Sequence, residues 1–285
     1  MTNELTGKVA IVTGGASGIG RSTVDKFVEE GARVVIADIN SEQGAAVAAE
    51  YGPEVLFKQT DVADSAQIEE LIADTVAQFG GLHIMLNNAG VPTAMYPHFL
   101  DDPLDEFHRV MAVDLLGVML GTQHAARHMA ANGGGSIINT TSIGGIRAGA
   151  GEATYRAAKA GVIHFTKCAA IDLAGYGIRV NCIAPGAIPT PIMGSTLAHI
   201  AGGDDMTQQL REAIKTIRPL RRDGSATDIA EATVFLIAEA TVFLAGDRSG
   251  YITGTVLPVD GGIVAGHAMN SLADIVENRA DALTA

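Results

Sequence analysis

The chain has 285 residues, 47% of them hydrophobic, and its 32 acidic against 19 basic side chains give a formal net charge of −13. That length fits one large α/β domain or two small ones, with apolar residues enough for an ample core. The acidic balance argues against nucleic acid or an anionic membrane as partner, since both would repel it.

The first ten residues, MTNELTGKVA, have neither a charged n-region nor an apolar h-region, so no secretory signal is expected. A β-branched run at 9–13 reads as a strand, followed by TGGASGIG and a helix over 21–30. Gly14, Gly18 and Gly20 allow a tight turn and a close backbone approach to a pyrophosphate at the helix N-terminus. The next strand, 33–37, leads into Asp38, whose carboxylate can accept hydrogen bonds from both hydroxyls of an adenosine ribose. It would repel a 2′-phosphate, and no Arg or Lys occurs at 15–17 or 39–40 to welcome one, so NAD(H) is expected over NADP(H).

The alternation continues with a helix at 41–51, a strand at 55–59, a helix at 66–79 and a strand at 84–87. A long helix is expected over 106–131. His124 and His128 share one of its faces at metal-ligand spacing, but no third ligand accompanies them, so no metal is expected. A strand at 136–140 ends near Ser142, and a helix over 155–176 starts with YRAAK. Tyr155 and Lys159, four apart, project from one face. A cation beside a phenol favours phenolate and tunes it for proton transfer at neutral pH; Ser142 can hold the same substrate oxygen. Cys168 and Cys182 follow no motif spacing and read as buried, reduced thiols.

A strand at 179–184 precedes 194–209, a long irregular stretch of the kind that covers sites. A helix over 228–244 follows, containing AEATVFL at 230–236 and again at 238–244, and then a strand at 251–257. There is no third copy, so this is a local duplication and not a repeat architecture. Strict alternation with apolar strands implies a doubly wound parallel α/β sheet (a Rossmann fold) in one domain.

The motifs TGGASGIG (13–20), Asp61-Val62, NNAG (87–90), Ser142, YRAAK (155–159), NCIAPGAIPTP (181–191) and VDGG (259–262) occur in one order. In them the chain resembles the short-chain dehydrogenase/reductase family over residues 7–262, nearly its whole length. The resemblance implies a domain over 1–262 with a substrate lid at about 190–217, and a C-terminal extension over 263–285. It implies hydride transfer between NAD and a secondary alcohol or ketone, with Tyr155 as acid/base, Lys159 lowering its pKa and binding the nicotinamide ribose, and Ser142 orienting the substrate oxygen. Ser17, Ile19 and Ile39 would join the cofactor contacts, Asp61 and Val62 would meet adenine, and Asn87, Asn88, Ala89 and Gly90 would back the ribose and sheet centre. Pro185, Gly186, Ile188 and Thr190 would hold the nicotinamide. A homotetramer is also implied, with the duplicated stretch lengthening an interface helix or one copy looping out, while the N-terminus and cysteine usage lead to the expectation of a cytoplasmic protein.

Three departures stand out. Asp114, in MAVDLLGV, occupies the place of the family's fourth catalytic residue, an asparagine. Its main-chain carbonyl remains, but its carboxylate lacks the amide's donors and can pair with Lys159; activity is expected to survive. Relatives commonly carry proline near Ala226, and the tail shows helical spacing at Leu272, Ile275, Val276, Ala280 and Leu283. Candidate substrate contacts are Met95, Tyr96, Ile143, Ile146, Arg147, Ile192, Met193, Leu197 and Ile200, mostly apolar, which suits a hydrophobic cyclic or long-chain alcohol or ketone. A 3-oxoacyl-carrier-protein reductase and a non-catalytic NAD-binding protein are the alternatives.

Overall fold

In the computed structural model, residues 3–96, 98–188, 208, 219–220 and 242–266 are described. Seven strands form one parallel sheet in the order β3-β2-β1-β4-β5-β6-β7. They are β1 (Val9–Thr13), β2 (Arg33–Asp38), β3 (Val55–Gln59), β4 (Ile84–Asn87), β5 (Gly135–Thr140), β6 (Ile178–Pro185) and β7 (Val256–Val259). Helices among the described residues include α1 (Gly18–Glu29), α2 (Ser41–Ala49), α3 (Ser65–Phe79), α4 (Phe107–Met111), α5 (Gly117–Ala131), the short α6 (Ile143–Ile146) and α7 (Ala153–Leu173).

Alternate strand residues feed two different cores. Ala10, Val12, Val34, Ile36, Ile84, Leu86 and Ile138 pack with Val24 and Phe27 of α1. Ile11, Val35, Ala37, Met85 and Ile137 point the other way, onto Ile68 and Leu71 of α3 and Ala125 and Met129 of α5. Because side chains alternate across a strand, apolar residues at every position require cover on both faces. Strand order reverses between β1 and β4, and the crevice at such a switch point is where ligands bind in sheets of this kind.

Three expectations need correction. The last strand is Val256–Val259, not 251–257. Gly254 turns at φ +71°, and Thr253 and Gly254 are bound to Val180 on β6 through a side chain and an amide, so 251–255 forms a looped approach. The long helix starts at Phe107 and widens into a π-helical segment at Ala112–Leu116 between α4 and α5. Cys182 is buried, but Cys168 is exposed, because α7 buries the face carrying Val162, Thr166, Ala169 and Ala170. Of the duplicated stretch, only 242–244 falls among the described residues. There Leu244 is 1% exposed, and its carbonyl accepts from Ser136 Oγ at 2.8 Å and Arg179 Nη1 at 2.9 Å.

Candidate active site

The carboxyl ends of the strands open into a cavity of about 640 Å³. At one end, Gly14 and Gly18 adopt φ +64° and +53°. A Cβ on Gly14 would lie 2.9 Å from Ala89 Cα, and one on Gly20 would lie 2.1 Å from the Gly14 carbonyl oxygen. Only glycine fits either contact. Ser17, the N-cap of α1, makes no side-chain cap bond, so its hydroxyl does not compete for the first-turn amides. Ser17, Gly18 and Ile19 line the cavity; Gly20 does not, and instead lets α1 close onto the turn.

Asp38 sits at the end of β2 on the cavity wall. Its Oδ2 accepts from Ala16 N at 3.1 Å and its Oδ1 from Asn40 N at 3.0 Å, so it also braces the glycine turn. Ile39, Asp61 and Val62 line the same end. A turn that excludes side chains, an uncapped helix start and a carboxylate beside them fit a dinucleotide.

The floor is fastened at the switch point. Thr13 Oγ1 accepts from the amides of Asn88 and Ala89 at 2.9 and 3.0 Å, while Asn88 Nδ2 donates to the Thr13 carbonyl at 3.1 Å. Asn88, Ala89 and Gly90 line the cavity. Asn87 does not: it is buried, donating to Asn139 Oδ1 at 2.9 Å and Thr122 Oγ1 at 3.2 Å, so its place is at the sheet centre. Pro185, Gly186 and Ile188 close the far side, and Gly186 is needed where a Cβ would lie 2.8 Å from Asp260 Cα. Thr190 lies outside the described residues, as do Ile192, Met193, Leu197 and Ile200, the stretch 194–209 and most of the expected lid.

Ser142, Tyr155 and Lys159 meet on the cavity wall. Ser142 caps α6, its Oγ accepting from Gly144 N at 3.0 Å, and its side chain also acts to lower the Tyr155 phenol pKa. Lys159 Nζ lies 5.6 Å from the Tyr155 ring centroid and 3.4 Å from the Thr140 carbonyl oxygen. Asp114 stands behind this group, off the cavity, in the π-helical segment. Its Oδ1 accepts from Val91 N at 2.8 Å; Oδ2 is 3.5 Å from Lys159 Nζ and lacks a well-formed hydrogen bond. The Asp114 side chain is 0% exposed.

These groups shift one another. Burial raises the Asp114 carboxyl above its ordinary range, with Lys159 opposing. Burial alone would lower Lys159, but the Asp114 carboxylate and Tyr155 outweigh it, and the ammonium is held more firmly protonated. For Tyr155 burial dominates and raises the phenol, Lys159 pulls it down, and Asp114 pushes it up. The expected lowering by lysine is therefore present but outweighed in the free protein.

Of the expected substrate contacts, Met95, Ile143 and Arg147 line the cavity, whereas Tyr96 and Ile146 do not. Ile146 is 42% exposed. Val91, Pro92, Glu152 and Ile263 line it without having been foreseen. Glu152 was not legible, since it lies before the expected helix start at 155 and is the non-helical N-cap of α7. Nor was Ile263, since it lies beyond VDGG and reaches the wall by a 3₁₀ turn over Ile263–Ala265. His124 is buried and shares a 3.0 Å hydrogen bond with Ser65 Oγ. Among the described residues no helix is long and apolar enough to cross a membrane.

A family model described as enoyl-(acyl carrier protein) reductase matches residues 14–264. The chain is 41% identical over 267 residues to momilactone A synthase of Oryza sativa subsp. japonica, covering 91% of each. It is 38% identical over 266 residues to a 2,5-dichloro-2,5-cyclohexadiene-1,4-diol dehydrogenase of Sphingobium indicum, covering 92% of this chain and 98% of that one. The crystal structure of a levodione reductase matches with a TM-score of 0.82 at 35% identity, over 92% of this chain and 99% of that chain.

Proposed function

The chain belongs to the short-chain dehydrogenase/reductase family of oxidoreductases, and we propose that it is an NAD-dependent dehydrogenase of hydrophobic cyclic secondary alcohols, working reversibly on the ketones. The observation that carries this reading is one cavity running from Asp38 to Ser142, Tyr155 and Lys159. Its substrate end is walled by Val91, Pro92, Met95 and Ile143, which favours an apolar ring over a sugar. The relatives named for a cyclohexadiene diol and for levodione support a cyclic substrate.

When bound, the nicotinamide supplies the acceptor or donor of the hydride. The chain's own residues bind and move the proton. Gly14, Ser17, Gly18 and Ile19 offer backbone to the pyrophosphate, with Gly20 keeping α1 close. Asp38 accepts from the ribose hydroxyls, Asp61, Val62 and Ile39 frame adenine, and Asn88, Ala89 and Gly90 floor the ribose. Pro185, Gly186 and Ile188 hold the nicotinamide face. Ser142 donates to the substrate oxygen, and Tyr155 Oη takes the alcohol proton during oxidation or returns it during reduction. Lys159 stabilises the phenolate, and Asp114 positions Lys159.

NAD is the proposed cofactor because Asp38 would face a 2′-phosphate with like charge. Steady-state rates with NAD and NADP test this: a lower KM for NAD is expected, and an equal or lower KM for NADP overturns it. For the substrate, a panel followed by NADH absorbance should show cyclic alcohols oxidised; activity confined to free sugars contradicts the reading.

A further inference from the structure

One polar group in the cavity has no part in the proton transfer above. Glu152 precedes the first residue of α7 and lines the cavity three positions before Tyr155. An N-cap carboxylate would ordinarily accept from first-turn amides, yet Glu152 makes no such bond. Among the described residues its side chain has one hydrogen bond, a 3.4 Å contact from Arg156 Nη2 to Oε2. The side chain is only 21% exposed, and burial raises its carboxyl pKa, with Arg156 opposing.

The backbone that presents Glu152 is braced. Tyr96 N donates to the Gly151 carbonyl at 3.1 Å. Gly151 sits at φ +91°, where a Cβ would lie 2.6 Å from Met95 Cγ. Arg156 Nη1 holds the Arg147 carbonyl at 3.3 Å, and Arg147 Nη1 holds that of Ile263 at 3.2 Å. Both cations thus serve main-chain oxygens, with Arg156 also reaching Glu152 at 3.4 Å, and Val91, Pro92, Met95 and Ile143 line the same cavity. A half-buried acceptor whose one hydrogen bond is long favours a ligand that brings a donor to its other oxygen.

We propose that Glu152 is a specificity-determining residue that accepts a hydrogen bond from a second hydroxyl of a cyclic diol, while the reacting hydroxyl lies at Tyr155. This rests on the cyclic-alcohol reading above. No bond to carbon changes at Glu152. Oxidation converts only the carbinol at Tyr155, giving a hydroxyketone that still donates to Glu152. Turning that product around would set its carbonyl oxygen against the carboxylate, acceptor to acceptor, so the reaction stops at one oxidation.

The test compares cyclohexanol with cyclohexane-1,4-diol as substrates of the wild type, Glu152→Gln and Glu152→Ala, by NADH absorbance. The diol-to-cyclohexanol ratio of kcat/KM should fall about tenfold or more in Glu152→Ala, carried by the KM of the diol. Glu152→Gln, which keeps an acceptor oxygen, should fall between wild type and alanine. Product analysis should find 4-hydroxycyclohexanone and no dione with the wild type. An unchanged ratio in both variants, an equal loss on both substrates, or a wild-type dione product overturns the proposal. Failure of the wild type to oxidise either alcohol overturns the cyclic-alcohol reading instead.

Discussion

At Tyr155 three influences meet: burial raises the phenol pKa, Lys159 lowers it, and Asp114, 3.5 Å from that lysine, raises it again. Alcohol oxidation needs phenolate, so its rate climbs as pH rises through the Tyr155 titration. Asparagine at position 114 would keep a polar side chain but remove the charge that pushes the phenol up. The ascending limb of kcat/KM for oxidation in Asp114→Asn should therefore move to lower pH than in wild type. A limb that stays or moves to higher pH contradicts the placement of Asp114 behind Lys159. A kcat for the variant higher by orders of magnitude would show the native arrangement to be crippled. The Tyr–Lys pair was legible in sequence because helical spacing alone sets residues four apart on one face. The net direction of the phenol's shift was not, since it depends on burial by elements far away in sequence.

At the scale of elements, the glycine turn and its helix form one unit. A methyl at Gly20 would collide with the Gly14 carbonyl oxygen, a backbone atom that cannot swing aside. Gly20→Ala should destabilise the fold by about 1–3 kcal/mol, in the range of overpacked cores. Denaturant melts would measure it, and an unchanged midpoint with unchanged NADH binding would contradict the packing described here. Strands β1, β3 and β4 were legible to the residue, as runs led by apolar residues and bounded by turn residues, although only β1 and β4 are buried throughout. The seventh was misplaced because YITGTVL has strand composition, while Gly254 and the side-chain bonds to β6 break its first half. The π-helical segment that seats Asp114 leaves no mark in a helical periodicity pattern.

Over the whole molecule, apolar side chains remain uncovered on single-chain surfaces: Leu116 and Met119 near the start of α5, Ile171 on α7, and Tyr251 before β7. Such side chains would be covered in the homotetramer that the family resemblance implies. Removing one AEATVFL copy should change assembly, read by light scattering, more than kcat; the reverse outcome places the duplication at the active site. The fold class was legible because apolar strands alternating with helices imply a parallel sheet covered on both faces, and the glycine turn after the first strand marks the doubly wound form. The substrate was legible only in part, since Glu152 and Ile263 reach the cavity through tertiary contacts. The central claim, an NAD-dependent cyclic-alcohol dehydrogenase acting through Tyr155, is tested most directly by NADH formation from cyclohexanols with wild type and Tyr155→Phe. Wild-type turnover should fall by about 10²–10⁴-fold in the variant, with NADH binding nearly intact. Substantial activity in Tyr155→Phe, or NADH binding by a wild type that turns over no cyclic alcohol or ketone, would contradict it.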